Sequence, residues 1–493
     1  MTDRSVGMYP TLVQPPAPRQ PLADGTQAPT AGRSIWMAFL CVNLLGYALL
    51  GKGWAYFGVP PVFVGEAVLF CGIVSFMLFG KWRGLFDLPA AWFLLLLVGW
   101  GIVRILPDVS EYGANALRDA AVWGYSTFAI VLFGYILARP SRLAVLLRWY
   151  SAFVPIFLVG SPAIWLIYRI LGDSVMHWPW ADVPIILPKG GDAMVHASGI
   201  LAFWVAGLGS ASGFVRLLLL AFSVMLMGTF DRAGFVSFLA VFTMCAFLKP
   251  RDRSLWRLVA MIACGLMIIA ASNVRFRTSD RERDVSFTQI LENMKSLVGV
   301  SSVGDLDDTK QWRLEWWGDI YVYTILGKYF WTGKGFGINL ADDDGYQVEI
   351  DGSLRNPHNG HLTMLARGGV PGFALWLLVQ LSWGCSVLRS YVRSLGAGET
   401  RWSGLFLFLL AYWLAFMINT TFDVFIEGPV AGIWFWTIYG VGLAAMWLYR
   451  NNPAVLDRFA IGADAESTAW RPGGDVRRQR ARTNWSYRDV PLA

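Results

Sequence analysis

Two of the four histidines in the chain lie three residues apart, at His358 and His361. Pro357 cannot lie inside a helix and Asn359 is a favoured N-cap, so a short helix is predicted to begin near Gly360. The positive end of a helix dipole disfavours an imidazolium, which predicts that His358 is neutral near pH 7. A neutral imidazole can accept a proton from a substrate.

Two less specific interpretations of the histidine pair remain open. Both side chains could simply form hydrogen bonds in a polar loop. A metal site is the weaker alternative, because the His-x2-His spacing lacks the glutamate and the one-turn separation of the His-Glu-x2-His zinc motif. The short helix is predicted to end in the stretch 368–372, where glycines and a proline interrupt it.

The composition indicates which class of protein must position these histidines. The chain has 493 residues, of which 55% are hydrophobic, 15% aromatic and 15% charged. Its apolar residues form blocks of roughly 17–25 residues, the length that crosses about 30 Å of hydrocarbon as a helix. An all-α polytopic membrane protein is therefore predicted. Twelve candidate spans lie near 34–50, 57–79, 89–106, 120–138, 148–171, 195–210, 213–229, 233–248, 255–272, 371–389, 402–419 and 429–448.

Lysine and arginine residues predict the orientation, because short positive loops stay in the cytoplasm. Segments 81–84, 138–148, 249–253 and 389–401 carry this excess, and each follows an even-numbered span. Both termini are then cytoplasmic, and the one long loop, 273–370, is external. This bias and a basic tail that can contact anionic lipid headgroups explain the net charge of +7, so no nucleic acid partner is implied.

The predicted organisation is a helical membrane domain between two tails. Residues 1–33 are rich in proline and small polar residues, too poor in apolar groups to fold, and residues 449–493 form the basic tail. Helices one to nine occupy 34–272, and helices ten to twelve occupy 371–448. All five cysteines fall inside predicted spans, which implies neither a disulfide framework nor a cysteine-based zinc site.

Two helices are predicted within the external loop, at 286–299 and 311–330, from apolar periodicity and aromatic content. The alternating glycines of WTGKGFGIN (331–339) predict tight turns, and they lack the Gly-x4-Gly-Lys-Ser/Thr spacing of a phosphate loop. The acidic stretch ADDDGYQVEIDG does not match a calcium-loop spacing. It is interpreted as a solvated loop, as such charge runs usually are.

The stretch HNGHLTMLARGGVPG resembles the pattern His-Asn-x2-Leu-x2-Leu-x3-Gly-x2-Gly of the bacterial O-antigen ligases and the related O-antigen and exopolysaccharide polymerases. The matching residues are His358, Asn359, Leu362, Leu365, Gly369 and Gly372. Two similarities precede it in the family's order: Arg232 at the outer end of a span, and an Arg-x3-Trp helix that ends in a Gly-x-Gly turn. That helix and turn contain Arg313, Trp317, Gly333 and Gly335.

The resemblance extends over about 195–448, and one departure from the family stands out. The residue before Arg232, often serine in the family, is Asp231. A carboxylate at this position could pair with Arg232 and weaken its hold on an anion.

The resemblance implies a sugar transfer on the periplasmic face of the bacterial inner membrane, without a metal or other cofactor. The donor would be a glycan on undecaprenyl pyrophosphate. The acceptor would be a sugar hydroxyl, on a lipid A core for a ligase or on a second lipid-linked glycan for a polymerase. Acceptor choice depends on cavity shape and not on the shared motif, so the sequence leaves these two activities open.

Under this resemblance, His358 is the base that takes the proton of the acceptor hydroxyl, and Asp423 and Glu427 on the last outer loop are the next candidates for that role. Arginine can neutralise the charge that grows on a departing pyrophosphate, because its planar guanidinium binds phosphate oxygens in pairs. The predicted substrate-binding residues are Arg232, Arg275, Arg277, Arg313, His361 and Asn359, and His361 is expected either to orient or to bind. Each arginine has the alternative interpretation of a solvated or snorkelling side chain, and His177 and His196 are interpreted as structural.

A transporter is the alternative from a different class. Transporters typically carry ionisable groups or broken helices at mid-membrane, in two related halves. Glu66 and Arg104 lie inside predicted spans as candidates for such groups, and the halves show no clear repeat. The large external loop with its histidines and arginines favours chemistry at the membrane surface.

Overall fold

Helices dominate the structure because apolar segments in a membrane must satisfy their backbone hydrogen bonds internally. The computed structural model describes residues 35–60, 62–209, 213–228, 231–272 and 304–456. In these ranges, β1 (Gly58–Val59) and β2 (Val62–Phe63) form an antiparallel hairpin, and the named elements are otherwise helical. The predicted all-α class is confirmed.

The helices before the predicted external loop are α1 (Ile35–Leu50), α2 (Lys52–Ala55), α3 (Val64–Phe79), α4 (Pro89–Tyr112), α5 (Ala114–Asp119), α6 (Ala121–Gly124), α7 (Thr127–Ala138), α8 (Ser141–Leu171), α9 (Gly190–Val205), α10 (Phe214–Gly228), α11 (Arg232–Leu248) and α12 (Arg253–Ser272). Those that follow are α13 (Gly304–Ile325), α14 (Leu340–Asp344), α15 (Gly360–Gly396), α16 (Thr400–Phe422) and α17 (Pro429–Asn451). Short 3-10 turns occupy Arg83–Asp87, Gly172–Ser174 and Pro453–Val455. Arg275, Arg277, the predicted helix 286–299 and most of both predicted tails lie outside the described residues.

Each of the twelve predicted spans coincides with helical structure, and six of these segments are long and apolar enough to cross a membrane. The six are α4, the segment Ala121–Ala138, α8, α15, α16 and α17. Helices α1, α3, α10 and α11 are apolar but shorter. A polytopic membrane protein is confirmed, whereas the count of twelve spans stays a prediction.

Four of the largest buried side chains are tryptophans on α15 and α17. Trp376, Trp383, Trp434 and Trp436 are all at most 1% exposed. The indole of Trp383 donates to the Tyr439 carbonyl at 3.0 Å, and that of Trp434 donates to the Leu44 carbonyl at 2.8 Å. Because lipid is as apolar as leucine, packing and hydrogen bonds of this kind hold membrane helices together.

Helix α15 is broken at Gly369, where φ is 67° and ψ is −173°. A Cβ atom at this position would lie 2.6 Å from the Phe330 carbonyl oxygen, so only glycine fits. The next amide, of Val370, donates to the same carbonyl at 2.7 Å. The prediction of a short helix from Gly360, ending within 368–372, is confirmed, and the long helix follows without an intervening loop.

The predicted external loop contains α13, which confirms the helix expected at 311–330. Its observed bounds, Gly304–Ile325, both lie earlier in the chain than the predicted ones. A glycine turn follows, with positive φ at Gly333, Gly335 and Gly337. The amide of Phe336 donates to Asp108 Oδ2 at 2.8 Å, and the amide of Gly337 donates to Asp119 Oδ2 at 3.0 Å. The turn therefore docks on α4 and α5, and a Cβ at Gly335 would lie 2.7 Å from Asp108.

Asp119 also pairs with two arginines of the same region. Arg355 Nη2 lies 2.9 Å and Arg367 Nη1 lies 3.0 Å from Asp119 Oδ2, and the Arg367 side chain is 1% exposed. Arg367 Nη1 donates further to the carbonyls of Gly335 and Ile338. The buried charges are thus paired and hydrogen-bonded, which is the condition for a stable buried ion pair.

The interpretation of the acidic stretch as a solvated loop is wrong for Asp344. This residue ends α14, and its side chain is 2% exposed. It pairs with Lys334 and accepts hydrogen bonds from Trp316 Nε1 at 2.6 Å and from the Tyr323 hydroxyl at 3.3 Å. Its partners come from α13 and from the glycine turn, so the carboxylate joins three parts of the loop.

Replacing Asp119 by alanine should destabilise the protein by about 3–5 kcal/mol, because Arg367 then stays buried without its counter-charge. The measurement is the midpoint of thermal unfolding of the purified protein in detergent. Asp182→Ala, at an exposed acid in the loop before α9, is the matched control and should leave the midpoint unchanged. Equal midpoints for both variants would contradict the assigned role of Asp119.

Candidate active site

His358 stands immediately before α15 in an unusual backbone conformation. Its φ is 51°, the only positive value at a non-glycine residue in the described part of the chain. The indole of Trp317 donates to the Pro357 carbonyl at 2.8 Å, and the Trp312 ring lies 6.4 Å from the His358 ring between centroids. Helix α13 thus holds the peptide that precedes the histidine.

Asn359 is the N-cap of α15, as predicted. Its Oδ1 accepts hydrogen bonds from the amides of His361, at 3.0 Å, and Leu362, at 3.1 Å. The side chain is buried, so its oxygen satisfies two of the helix-start amides that would otherwise lack partners. The structure therefore gives Asn359 a capping role, and a role in substrate binding stays a prediction.

Asp423, at the end of α16, faces the His358 ring. The two side chains approach to 3.6 Å, between His358 Nδ1 and Asp423 Oδ1, and they are 29% and 12% exposed. A carboxylate on this side favours the tautomer with its proton on Nδ1, which leaves Nε2 as the acceptor. Burial raises the pKa of Asp423, but Lys189 and His358 outweigh it and hold the pKa below its usual value.

Lys189 pairs with the other oxygen of the same carboxylate, Asp423 Oδ2. It is the N-cap residue of α9, and its ammonium group lies among three carboxylates, those of Asp423, Asp192 and Asp231. Desolvation lowers the pKa of Lys189, but these acids outweigh it and raise the pKa above its ordinary value. The side chain keeps 48% of its surface exposed, so a substrate can reach it. We call the partly exposed surface that Lys189, Asp423 and His358 form the cleft.

Arg313 brings a guanidinium to this cleft from α13. Its Nη1 donates to the Phe422 carbonyl at 3.1 Å, next to Asp423. Its Nε has no hydrogen-bond partner among the described residues. Burial lowers the pKa of Arg313, and Asp423 and Asp231 oppose that shift. The planar guanidinium lies next to Asp423, and a group of this kind is suited to binding an anion.

Arg232 is the first residue of α11, and it lies half-buried at the helix start that Asp231 caps. Asp231 Oδ1 accepts from the Gly234 amide at 2.8 Å. Burial raises the pKa of Asp231, opposed by the Gly234 hydrogen bond. The carboxylate that the sequence placed beside Arg232 therefore also caps the helix, and the effect of Asp231 on anion binding stays a prediction.

Glycines let the starts of α9 and α11 cross closely at this point. A Cβ atom at Gly234 would lie 2.8 Å from the Cα of Gly191. One at Gly191 would lie 2.9 Å from Asp231 Oδ2 and 3.2 Å from Asn419 Oδ1. The small residues on both helices therefore bring Asp231 to the cleft.

Two further polar groups lie behind the histidine. Asn419, one turn before Asp423 in α16, is fully buried, and its amide atoms have no hydrogen-bond partner among the described residues. Glu427 Oε2 accepts from the Phe425 amide at 2.8 Å and packs against Gly360, the first residue of α15. Burial raises the pKa of Glu427 to about 7.

His361 is directed into the protein. Its Nδ1 accepts from Trp376 Nε1 at 3.1 Å, so its ring proton is on Nε2, which points to the Met417 carbonyl at 3.2 Å. Both ring nitrogens are thus engaged, and they connect α15 to α16. Of the two roles expected for His361, this arrangement favours the orienting one.

Glu66 and Arg104, the two residues weighed as transporter groups, both form hydrogen bonds within the protein. Glu66 caps α3, where it accepts from the Phe63 amide at 3.2 Å and from the Tyr125 hydroxyl at 2.6 Å. Arg104 Nε donates to the Thr332 carbonyl at 3.0 Å and so joins α4 to the predicted external loop. Both side chains thus have partners within the protein, and their depth in the membrane stays a prediction.

Sequence reasoning missed Lys189, Asp192 and Asn419, and it named Asp423 and Glu427 only as reserve bases. A signal for them exists. The segments KGGD (189–192) and NTTFD (419–423) place polar residues at the ends of apolar runs, and residues four apart share one face of a helix. His196 is buried with Nδ1 2.5 Å from the Tyr412 hydroxyl, in agreement with a structural role.

A comparison with protein families matches residues 217–377 to the family model described as O-antigen ligase. The matched segment runs from α10 into α15 and contains Arg232, Arg313 and His358. The match confirms the resemblance seen in the sequence, and it supports, at a coarse level, a membrane enzyme of the ligase or polymerase type in polysaccharide biosynthesis. The comparison with curated proteins gives no match.

The raised pKa of Glu427 predicts a stability that falls as the pH rises. The folded value of about 7 exceeds the ordinary value of 4.5, so the stabilisation is complete below about 4.5 and is lost as the pH passes through 7. Its full size is at most about 3 kcal/mol. Glu427→Gln, which mimics the protonated side chain, should flatten this part of the profile. Thermal unfolding of both proteins between pH 5 and 8 measures it, and identical profiles would contradict the assignment.

Proposed function

We propose that the protein transfers a glycan from undecaprenyl pyrophosphate to an acceptor sugar hydroxyl on the periplasmic face of the inner membrane, as an O-antigen ligase. The observation that carries this proposal is the pairing of His358 with Asp423, 3.6 Å apart, beside the guanidinium of Arg313. A base and an anion-binding cation thus share one accessible cleft. These are the two groups that such a transfer requires.

His358 acts as the general base in the proposed reaction. The acceptor oxygen attacks the anomeric carbon of the donor sugar and loses its proton to Nε2, while the bond from that carbon to the pyrophosphate oxygen breaks. Asp423 orients the ring and stabilises the imidazolium that forms, as the acid does in a Ser-His-Asp triad. A positioned base of this kind contributes about 10²–10⁴ in rate.

The departing pyrophosphate receives the electron pair of the broken bond, and its growing charge needs positive partners. Arg313 supplies one, through the guanidinium that lies next to Asp423, and Arg232 at the start of α11 supplies a second. Arg275 and Arg277 remain predicted contributors. Arginine forks bind phosphate oxygens directly, so the proposed transfer requires no metal.

Replacing His358 should lower transfer by roughly two to four orders of magnitude, the usual contribution of a general base. His358→Asn is the sharper variant, because asparagine tolerates the left-handed backbone at this position and removes only the base. The measurement is glycan transfer between purified lipid-linked donor and acceptor in reconstituted membranes. His177→Asn, in the outer loop before α9, is the control and should keep the parental rate. A parental rate in His358→Asn would exclude His358 as the base.

A polymerase with the same donor is the second candidate, and only the acceptor separates the two. In a strain that lacks the gene, a ligase deficiency stops attachment of glycan to lipid A while long lipid-linked chains accumulate. A polymerase deficiency leaves single repeats attached. We expect the ligase pattern when the surface glycan is separated on a gel, because the matched family model describes ligases. Attached single repeats would instead assign the polymerase activity.

A further inference from the structure

We propose that Lys189 is a positioning residue for the transfer: it holds the carboxylate of Asp423 toward His358 Nδ1, so that Nε2 faces the acceptor hydroxyl. The inference rests on the proposed function, because it assumes that His358 is the base. Lys189 lies outside the segment that matches the family model, and it is 234 residues from Asp423 in the chain. Its role therefore comes from the geometry of the cleft.

The first argument is the position of the lysine at the start of α9. An N-cap favours serine, threonine, aspartate or asparagine, and a cation there opposes the helix dipole. Lys189 forms no side-chain cap. Its ammonium group instead binds Asp423 Oδ2, while His358 lies on Oδ1. The two oxygens of one carboxylate thus have one partner each, which sets the plane of the carboxylate relative to the imidazole.

The second argument is that the backbone beside Lys189 is held firmly. The Leu187 amide donates to the Leu50 carbonyl at 3.0 Å, and the Leu187 carbonyl accepts from the Lys52 amide at 3.1 Å. Gly51 has φ 60°, and a Cβ there would lie 2.4 Å from the Leu187 oxygen. This close approach anchors the loop to the turn between α1 and α2, so Lys189 reaches Asp423 from a fixed point.

The third argument is the charge balance around Asp423. Two cations and three other acids lie near it, and of these only Lys189 and Asp192 come from the same element, the start of α9. They are Lys189, Asp192, Asp231, Arg313 and Glu427, with His358 as the sixth titratable group. Without Lys189, Asp423 would lose the cation that pairs with it directly, while the three other carboxyl groups would stay nearby. Like charges in a shared buried site favour protonation, and a protonated Asp423 no longer supports an imidazolium.

The test compares Lys189→Met with Lys189→Arg in the full-length protein, reconstituted with purified lipid-linked donor and acceptor. Lys189→Met should lower kcat roughly tenfold to a hundredfold, the range typical of losing a group that orients a reacting one. Removing a cation favours proton binding by its neighbours, so the acid limb of the pH–rate profile should move to higher pH. Lys189→Arg keeps the charge and should leave that limb in place.

Lys52→Met is the matched control. This exposed lysine lies close to Lys189, but among the described residues it forms no ion pair with Asp423. It should keep the parental kcat and pH profile. A higher donor KM in Lys189→Met, with unchanged kcat and pH profile, would overturn the proposal and assign the lysine to donor binding. A displaced acid limb in Lys189→Arg would overturn it as well.

The outcome also separates this inference from the proposed function. Full activity of His358→Asn would refute the proposed base, and the positioning role with it. Loss of activity in His358→Asn together with a parental kcat and pH profile in Lys189→Met would refute the positioning role alone. The side chain of Lys189 is 48% exposed, so its replacement removes little core packing. Thermal unfolding of each variant checks that the fold is intact.

Discussion

The carboxylate of Asp423 has to be paired, because a charge among apolar helices is costly unless a partner and hydrogen bonds compensate for it. That requirement draws four elements to one point. Lys189 comes from the start of α9, Arg313 from α13, and His358 from the residue before the cap of α15. The cleft therefore forms because these elements bring charged partners to Asp423. The same contacts set the orientation of the His358 ring.

A second carboxylate, that of Asp119, also holds several elements together, at a distance in the sequence from the histidine. It joins α5 to the glycine turn and to Arg355 and Arg367. Arg367 and Arg313 thus have different roles. Arg367 is 1% exposed and engaged with backbone carbonyls, which leaves it no capacity for substrate. Arg313 is only partly buried and lies next to Asp423, so its guanidinium is the one proposed to bind the pyrophosphate.

Local sequence patterns predicted the features that depend on residues close together in the chain. The apolar segments predicted helices, Asn359 predicted the start of α15, and the glycines at 368–372 predicted its break, because each depends on neighbouring residues only. Contacts between residues far apart in the chain were not predicted. Asp344 was expected in solvent, but partners on α13 and the glycine turn bury it. Lys189 and Asp423 are 234 residues apart, and periodicity carries no information on which distant charges meet.

The strained backbone of His358 connects fold and chemistry. A positive φ at a histidine costs free energy, so contacts on both sides must impose it. Before the residue, Trp317 fixes the Pro357 carbonyl; after it, the Asn359 cap and the double hydrogen bond of His361 fix the start of α15. The ring is therefore oriented before any substrate arrives. Pre-orientation of this kind lowers the barrier of a transfer, because no rearrangement is needed when the acceptor binds.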